Sequence, residues 1–185
     1  LIALVITTAP VIIAGLIFKL TGLSYIMRSI TVIGWAMIVF GILLYWVDQR
    51  ALNQRKIDTL TWRDAFILGL WQAIALIPGT SRSGITITGA LWAGFTRKEA
   101  ARISMLMSIP TILASGTLTA LDLIGGNIPL RDISIIIIFS FGAALFALNL
   151  MMRLLNSVNY TPYVIYRVLL GLILLAIGYS GILGF

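Results

Sequence analysis

The residues with the clearest chemical potential lie in one short segment, PGTSRSG, at residues 78–84. Arg82 offers a planar fork of N–H donors that matches the oxygens of a phosphate or carboxylate, and the hydroxyl groups of Ser81 and Ser83 lie beside it. Thr86 follows Ser83 by three residues, about one helical turn, so its hydroxyl can face the same side. These residue types and spacings are typical of an anion-binding loop.

The backbone of this segment favours the same ligand. Pro78 ends the preceding helix, while Gly79 and Gly84 allow the chain to fold tightly around Thr80. We predict that a new helix begins near Ser83 and directs its unpaired N–H groups and its positive dipole end into the loop. The loop is therefore predicted to hold a phosphate or a carboxylate.

A structural interpretation of the same residues stays open. Hydroxyl groups in membrane helices often bond to their own backbone, glycine and serine serve close packing, and a single arginine can extend to the membrane surface. A serine also needs a base to become a nucleophile, and none lies in this segment. The sequence contains no histidine and no cysteine. These residues by themselves thus predict binding of an anion, not catalysis.

The composition places the loop in a membrane protein. Hydrophobic residues make up 60% of the 185 residues and charged residues 10%, with a mean hydropathy of +1.07, whereas soluble domains contain about 25% charged residues. The net charge is +7, but the basic residues lie mostly between apolar runs, as in cytoplasmic loops. We therefore predict no nucleic-acid partner and one membrane domain, residues 1–185.

Several apolar runs approach the roughly 20 residues needed to cross a bilayer as a helix. An all-α polytopic membrane protein, a transmembrane helix bundle, is therefore predicted. The first run opens LIALVITTAP without an initiating methionine or a basic leader, so we expect an amino-terminally truncated chain. Five long spans are predicted, at residues 1–18, 30–47, 103–124, 133–155 and 163–179.

Two shorter apolar pieces, residues 65–77 and 85–95, flank the PGTSRSG segment. Each is too short to cross about 30 Å of hydrocarbon comfortably. We predict a re-entrant helix–loop–helix whose loop lies at membrane depth. The alternative is one kinked helix over residues 65–95, which would be an unusually long span. Basic residues exceed acidic ones in residues 48–64, which favours the cytoplasmic side for that stretch.

Two polar residues outside the loop are candidates for the same site. Gln72 lies about one and a half turns before Pro78 and is predicted to line the cavity. Arg167 lies within the last apolar run, and it either extends to the membrane surface or makes a second phosphate contact.

The segment and its flanks resemble a known family. PGTSRSGITITGALWAG, preceded by TWRDAFILGLWQAIALI and followed by SMLMSIPTILASG, is similar to the second half of the bacterial undecaprenyl pyrophosphate phosphatase family, the bacitracin-resistance type. The segments TTAPVIIAGLIF and TPYVIYRVLLG also look like family segments, so the resemblance covers essentially the whole chain. The family pattern PG-x-SRS-x-x-T is matched by Pro78, Gly79, Ser81, Arg82, Ser83 and Thr86.

The resemblance implies hydrolysis of undecaprenyl diphosphate to undecaprenyl phosphate and inorganic phosphate, which recycles the lipid carrier of cell-wall synthesis and gives bacitracin resistance. It implies an inverted-repeat fold in the bacterial inner membrane, an active site that opens to the periplasm, and a homodimer. By the same resemblance, Arg82 would clamp the diphosphate, and Ser81 would donate a hydrogen bond or act as the nucleophile. Ser83 and Thr86 would orient phosphate oxygens.

One part of the family pattern has no counterpart in these residues: two glutamates followed by a serine-rich loop and a histidine. The resemblance therefore implies that the first re-entrant motif is absent from these residues. It also implies that groups outside them handle protons or hold a divalent cation, Mg²⁺ or Ca²⁺, and that the 185 residues alone are inactive. The competing function is a lipid-phosphate transporter or flippase that binds the anion at the same loop without hydrolysing it.

Overall fold

The computed structural model describes residues 2–22, 27–51, 54–123, 130–154 and 159–180. Helices dominate this part of the chain, which contains no β-strand and has one 3₁₀ turn at Ile57–Thr59. The prediction of an all-α fold is confirmed. In chain order the α-helices are α1 Ile2–Leu20, α2 Ile30–Arg50, α3 Trp62–Ile74, α4 Arg82–Trp92, α5 Arg97–Leu123, α6 Leu130–Leu154 and α7 Thr161–Tyr179.

Four of the described helices are long and apolar enough to cross a membrane. They are α1, α2, α7 and the Ile133–Leu150 portion of α6, with mean hydropathies between 1.8 and 2.3. The fifth predicted span, residues 103–124, falls on α5, a helix of 27 residues that contains Pro110; residue 124 lies outside the described part. The α6 window has no buried residue, as expected for a helix that faces lipid. The prediction of a polytopic membrane protein is confirmed.

Helices α2 and α7 pack against each other in antiparallel directions. Gly34 in α2 faces Leu175 and Gly171 near the end of α7, whereas Gly41 faces Arg167 nearer its beginning. A Cβ atom on Gly34 would lie only 2.9 Å from the Leu175 side chain, so the absence of a side chain permits this close approach. The pair forms a framework beside the PGTSRSG loop.

Helices α3 and α4 form a hairpin, and Arg55 links the beginning of α3 to the end of α4. Helix α3 begins with a capping box in which the Thr61 hydroxyl accepts from the Asp64 N–H and the Asp64 carboxylate accepts from the Thr61 N–H. The guanidinium of Arg55 donates to Asp64 Oδ1 at 3.2 Å and to the carbonyl of Ala93, just after α4, at 2.9 Å. Hydrogen bonding by Arg55 lowers the pKa of Asp64 to about 2.

The sequence left two interpretations of residues 65–95 open, and the hairpin distinguishes between them. A single kinked helix over residues 65–95 is wrong, because α3 ends at Ile74, α4 begins at Arg82, and the chain returns to the end from which it started. With 13 and 11 residues, the two helices are about 20 and 17 Å long at 1.5 Å per residue. Whether this hairpin re-enters a bilayer stays a prediction.

A buried ion pair joins three helices at the same end as Arg55. Asp48 in α2 is 1% exposed, and its carboxylate accepts from Arg97 Nε at the start of α5 at 2.6 Å. The backbone N–H of Tyr160, the residue before α7, donates to the same carboxylate, and the Tyr160 hydroxyl donates to the carbonyl of Arg97. This contact fixes the ends of α2, α5 and α7 to one another.

Candidate functional site

The PGTSRSG loop connects α3 to α4 in a conformation that few residues adopt. Ser81 has φ 66°, and within the described residues it alone among non-glycine residues has a positive φ. Such a backbone costs about 1–3 kcal/mol and marks places where surrounding contacts impose the shape. Gly79 has φ +90°, and a Cβ atom there would lie 2.5 Å from the carbonyl oxygen of Ile33. The loop is therefore pressed against the first turn of α2.

Helix α4 begins at Arg82, one residue before the predicted start near Ser83. Ser81 is its N-cap, because the Ser81 hydroxyl oxygen accepts a hydrogen bond from the N–H of Gly84 at 3.2 Å. Ser83 is exposed, and its hydroxyl lies 3.5 Å from that of Ser81. The amino-terminal end of α4 thus faces the loop, as the sequence predicts.

Arg82 is oriented by a neutral partner. Its Nη2 donates to Oε1 of Gln72 at 2.7 Å, and Nε2 of Gln72 donates to the hydroxyl of Thr111 in α5 at 3.2 Å. Gln72 is fully buried, as is Nε of Arg82, which has no hydrogen-bond partner. In the described part of the chain no carboxylate pairs with Arg82. Its positive charge therefore remains available for an anion.

Arg167 in α7 brings a second guanidinium to the loop. It is 2% exposed, and its Nη2 donates to the carbonyl of Gly79 at 2.5 Å. Its Nη1 lies beside Gly84, 2.9 Å from the position that a Cβ atom would occupy. Both Nε and Nη1 of Arg167 are buried without a partner. Arg167 therefore contacts the loop and does not extend to the surface.

Thr80 and Thr86 are both fully buried but face different neighbours. The Thr80 hydroxyl has no hydrogen-bond partner. The Thr86 hydroxyl lies 2.6 Å from that of Ser104 in α5 and donates to the carbonyl of Arg82. Thr86 thus links α4 to α5 and holds the backbone of Arg82, so its direct contact with phosphate stays a prediction.

Sequence reasoning missed Tyr163. Its hydroxyl lies 2.8 Å from that of Ser81, and its ring lies 5.7 Å from the guanidinium carbon of Arg167. Tyr163 and Arg167 are four residues apart in a helix, so they share one face. That spacing was a usable signal once Arg167 had been chosen as a candidate. One turn of α7 therefore supports both Ser81 and Gly79.

The residues around the loop do not fit a divalent cation. The polar groups that meet there are guanidinium, hydroxyl, amide and backbone groups, whereas Mg²⁺ and Ca²⁺ prefer carboxylates together with carbonyl or water oxygens. No group of three or more His, Cys, Asp or Glu side chains that could hold a metal occurs in the described part of the chain. The predicted cation would have to bind other groups, and we derive no step through it.

Known proteins support one family for this arrangement. The family model described as "Bacitracin resistance protein BacA" matches residues 1–173. The chain is 59% identical to a protein of Dinoroseobacter shibae, over 97% of this chain and 68% of that protein. It is 57% identical to one of Ruegeria pomeroyi (96% and 67% covered) and 45% identical to one of Aliivibrio salmonicida (94% and 65% covered). Each is named undecaprenyl-diphosphatase.

The matched region covers nearly all of the chain, so it includes the loop, its two flanking helices and α7, the elements that bring the two arginines together. The resemblance found in PGTSRSG is confirmed. This chain belongs to the bacitracin resistance protein BacA family.

Proposed function

We propose that this protein is an undecaprenyl-diphosphatase, which hydrolyses undecaprenyl diphosphate to undecaprenyl phosphate and inorganic phosphate. Its membership of the BacA family and the names of its relatives support this activity. The reaction recycles the lipid carrier of cell-wall synthesis and gives bacitracin resistance. One observation supports the placement of the site: Arg82 at the start of α4 and Arg167 of α7, which contacts the loop, both have buried N–H donors without partners.

These donors suit the transfer of a phosphoryl group. Charge in that transition state spreads over the equatorial oxygens, so positioned donors supply most of the catalysis. Arg82 would bind the diphosphate through its free Nε while Gln72 keeps its Nη2 in place. Arg167 would add Nη1 and Nε on the other side of the loop. The hydroxyls of Thr80 and Ser83 and the backbone N–H groups of Gly79 and Ser83 would complete the cradle. Gly84 would contribute by its lack of a side chain, which leaves room for Nη1 of Arg167, because its own N–H already donates to Ser81.

In our proposal Ser81 has a structural role, as the N-cap of α4 and as the contact of Tyr163. Its oxygen already accepts from Gly84 and contacts the hydroxyl of Tyr163, and no basic group that could remove its proton contacts it in the described part of the chain. The water that attacks phosphorus would therefore give its proton to groups other than these. Thr86 would act by holding the carbonyl of Arg82.

The geometry also supports a re-entrant hairpin that opens to the periplasm. Both ends of the hairpin are held by Arg55, in the basic stretch expected on the cytoplasmic side. The loop contacts Ile33, three residues into α2, or about 5 Å from the opposite end of that helix. The anion-binding loop would therefore lie inside the bilayer, towards the periplasmic face. A homodimer and a bound divalent cation stay predictions of the family resemblance.

The proposed activity is tested with the complete protein in liposomes that contain undecaprenyl diphosphate. We expect release of inorganic phosphate, measured directly, together with formation of undecaprenyl phosphate. Transfer of labelled lipid phosphate between leaflets is measured in parallel. Transfer without phosphate release would favour a transporter, for which the comparisons with known proteins give no support.

Replacing Tyr163 with phenylalanine is expected to lower kcat for phosphate release by about 3- to 10-fold, because one hydrogen bond of about 1 kcal/mol to Ser81 is lost. KM should change little, since both arginines remain. The measurement is steady-state phosphate release, with thermal unfolding of the same sample to show that the fold persists.

Tyr166→Phe is the matched control, because Tyr166 lies in the same helix but is 60% exposed. It should leave kcat unchanged. An unaltered kcat in Tyr163→Phe would show that the contact with Ser81 does not contribute to the reaction.

A further inference from the structure

A cavity lies at the end of the molecule opposite the PGTSRSG loop. It has a volume of about 270 Å³ and is formed where α2 and α4 end. Its walls include Trp46 and Val47 from α2 and Leu91 and Trp92 from α4. Arg82 and Trp92 are the first and last residues of α4, about 15 Å apart along the helix axis. The cavity is thus separate from the proposed phosphatase site.

Most of this cavity is apolar, with aromatic walls. The rings of Trp46 and Trp92 lie 5.7 Å apart and are tilted by 31°, and both side chains are partly exposed. The pair therefore leaves apolar surface at the outside of the bundle. Tryptophan is enriched where hydrocarbon meets the headgroups of a bilayer, and α2, which is apolar enough to span the membrane, ends at Arg50 in this cavity.

Arg50 supplies a positive charge at the edge of these walls. Its guanidinium carbon lies 4.5 Å from the centre of the Trp46 ring, and Arg50 itself is exposed. Two other arginines at this end have acidic partners: Arg55 pairs with Asp64, and Arg97 pairs with Asp48. Among the described residues, no carboxylate forms an ion pair with Arg50. Arg50 is therefore a cation without a counterion beside an apolar cavity.

We propose that this cavity binds an anionic phospholipid of the cytoplasmic leaflet. Its phosphate would contact Arg50, and the upper part of an acyl chain would lie between Trp46 and Trp92. A soluble anion would gain nothing from the apolar walls, and in a zwitterionic lipid the choline cation would offset the attraction between the phosphate and the guanidinium. An amphiphile with a negative headgroup matches both parts of the site. This binding does not depend on the hydrolysis of undecaprenyl diphosphate.

The experiment uses the complete protein in phosphatidylcholine vesicles that contain a minor fraction of brominated lipid. Bromine in the acyl chains quenches tryptophan fluorescence at short range. Brominated phosphatidylglycerol is expected to quench about twofold more than brominated phosphatidylcholine at equal fractions. This excess quenching by brominated phosphatidylglycerol should disappear in Arg50→Gln and in the double variant Trp46→Phe/Trp92→Phe.

Arg63→Gln is the matched control. Arg63 is an exposed arginine at the beginning of α3, at the same end of the molecule, and it does not line the cavity. The control should keep the preference for phosphatidylglycerol, and Arg50→Gln should keep phosphate release because Arg50 is remote from the loop.

Three results would overturn the proposal. Equal quenching by the two brominated lipids would show that the headgroup charge is not recognised. Equal losses in Arg50→Gln and Arg63→Gln would assign the preference to general surface charge. An excess that survives in Trp46→Phe/Trp92→Phe would place the bound lipid elsewhere on the protein.

Discussion

Replacing Arg82 with alanine in the complete protein is expected to reduce phosphate release from undecaprenyl diphosphate by at least about 100-fold. Removal of one positioned donor from a site that stabilises developing negative charge commonly costs 10²- to 10³-fold in kcat. In the proposed site Arg82 acts as such a donor, because Gln72 fixes its Nη2 and leaves its buried Nε free. Steady-state release of inorganic phosphate measures the effect.

Arg82→Lys separates charge from geometry. Lysine keeps the positive charge but lacks the planar fork of donors, so this variant should retain only part of the activity. The control is Arg63→Ala, which removes an exposed arginine at the other end of the hairpin and should leave kcat unchanged. Near-normal turnover by Arg82→Ala would remove the loop from the catalytic site.

The same substitution has a structural cost that must be measured separately. Without Arg82, Oε1 of buried Gln72 loses its donor, and an unsatisfied buried polar group costs about 1–3 kcal/mol. Arg82→Ala/Gln72→Leu removes both partners and should recover much of that stability while remaining inactive. Unfolding curves together with phosphate release distinguish a folded, inactive enzyme from an unfolded one.

Replacing Asp48 with asparagine is expected to give the largest loss of stability, about 3 kcal/mol in the free energy of unfolding. Loss of one partner from a buried ion pair costs about 3–5 kcal/mol, because the other charge stays without compensation. We expect a loss at the lower end of this range because the Arg97 side chain is 34% exposed. The measurement is unfolding of the purified protein in detergent, followed by tryptophan fluorescence.

Two comparisons make the Asp48 prediction specific. Arg102→Gln removes an exposed charge whose contact with Glu99 is 4.0 Å, and it should cost less than about 1 kcal/mol. Arg97→Gln in the Asp48→Asn background should restore part of the lost stability, since the unpaired charge is gone. Equal losses in the free energy of unfolding for Asp48→Asn and Arg102→Gln would show that the buried ion pair stabilises the fold no more than the exposed one.

The local features of the loop could be predicted from sequence because their causes are local. Pro78 and the glycines beside it interrupt the helix wherever they occur, and the helix that follows begins at Arg82, within one residue of the prediction. The apolar runs likewise identify membrane helices, because twenty residues of continuous hydrophobicity have few other stable solutions.

The partners of the loop could not be predicted in this way. Gln72 was expected near the cavity, but its pairing with Arg82 depends on how α3 and α4 are rotated against each other. The spacing of Thr86 allows its hydroxyl to face either the loop or a neighbouring helix. In the structure the hydroxyl contacts Ser104 of α5. The contact between Tyr163 and Ser81 depends on the packing of α7, which no local pattern encodes.

The distance along the chain between the loop and α7 has a consequence for biosynthesis. Ser81 and Tyr163 are separated by 82 positions, and Gly79 and Arg167 by 88. A chain is synthesised from its amino terminus, and earlier parts can fold before later ones exist. The loop can therefore gain its contacts with Tyr163 and Arg167 only after α7 has been made and inserted. A ribosome-bound chain that stops before α7 should contain the hairpin but lack the contribution of Arg167 and Tyr163 to the proposed anion-binding site.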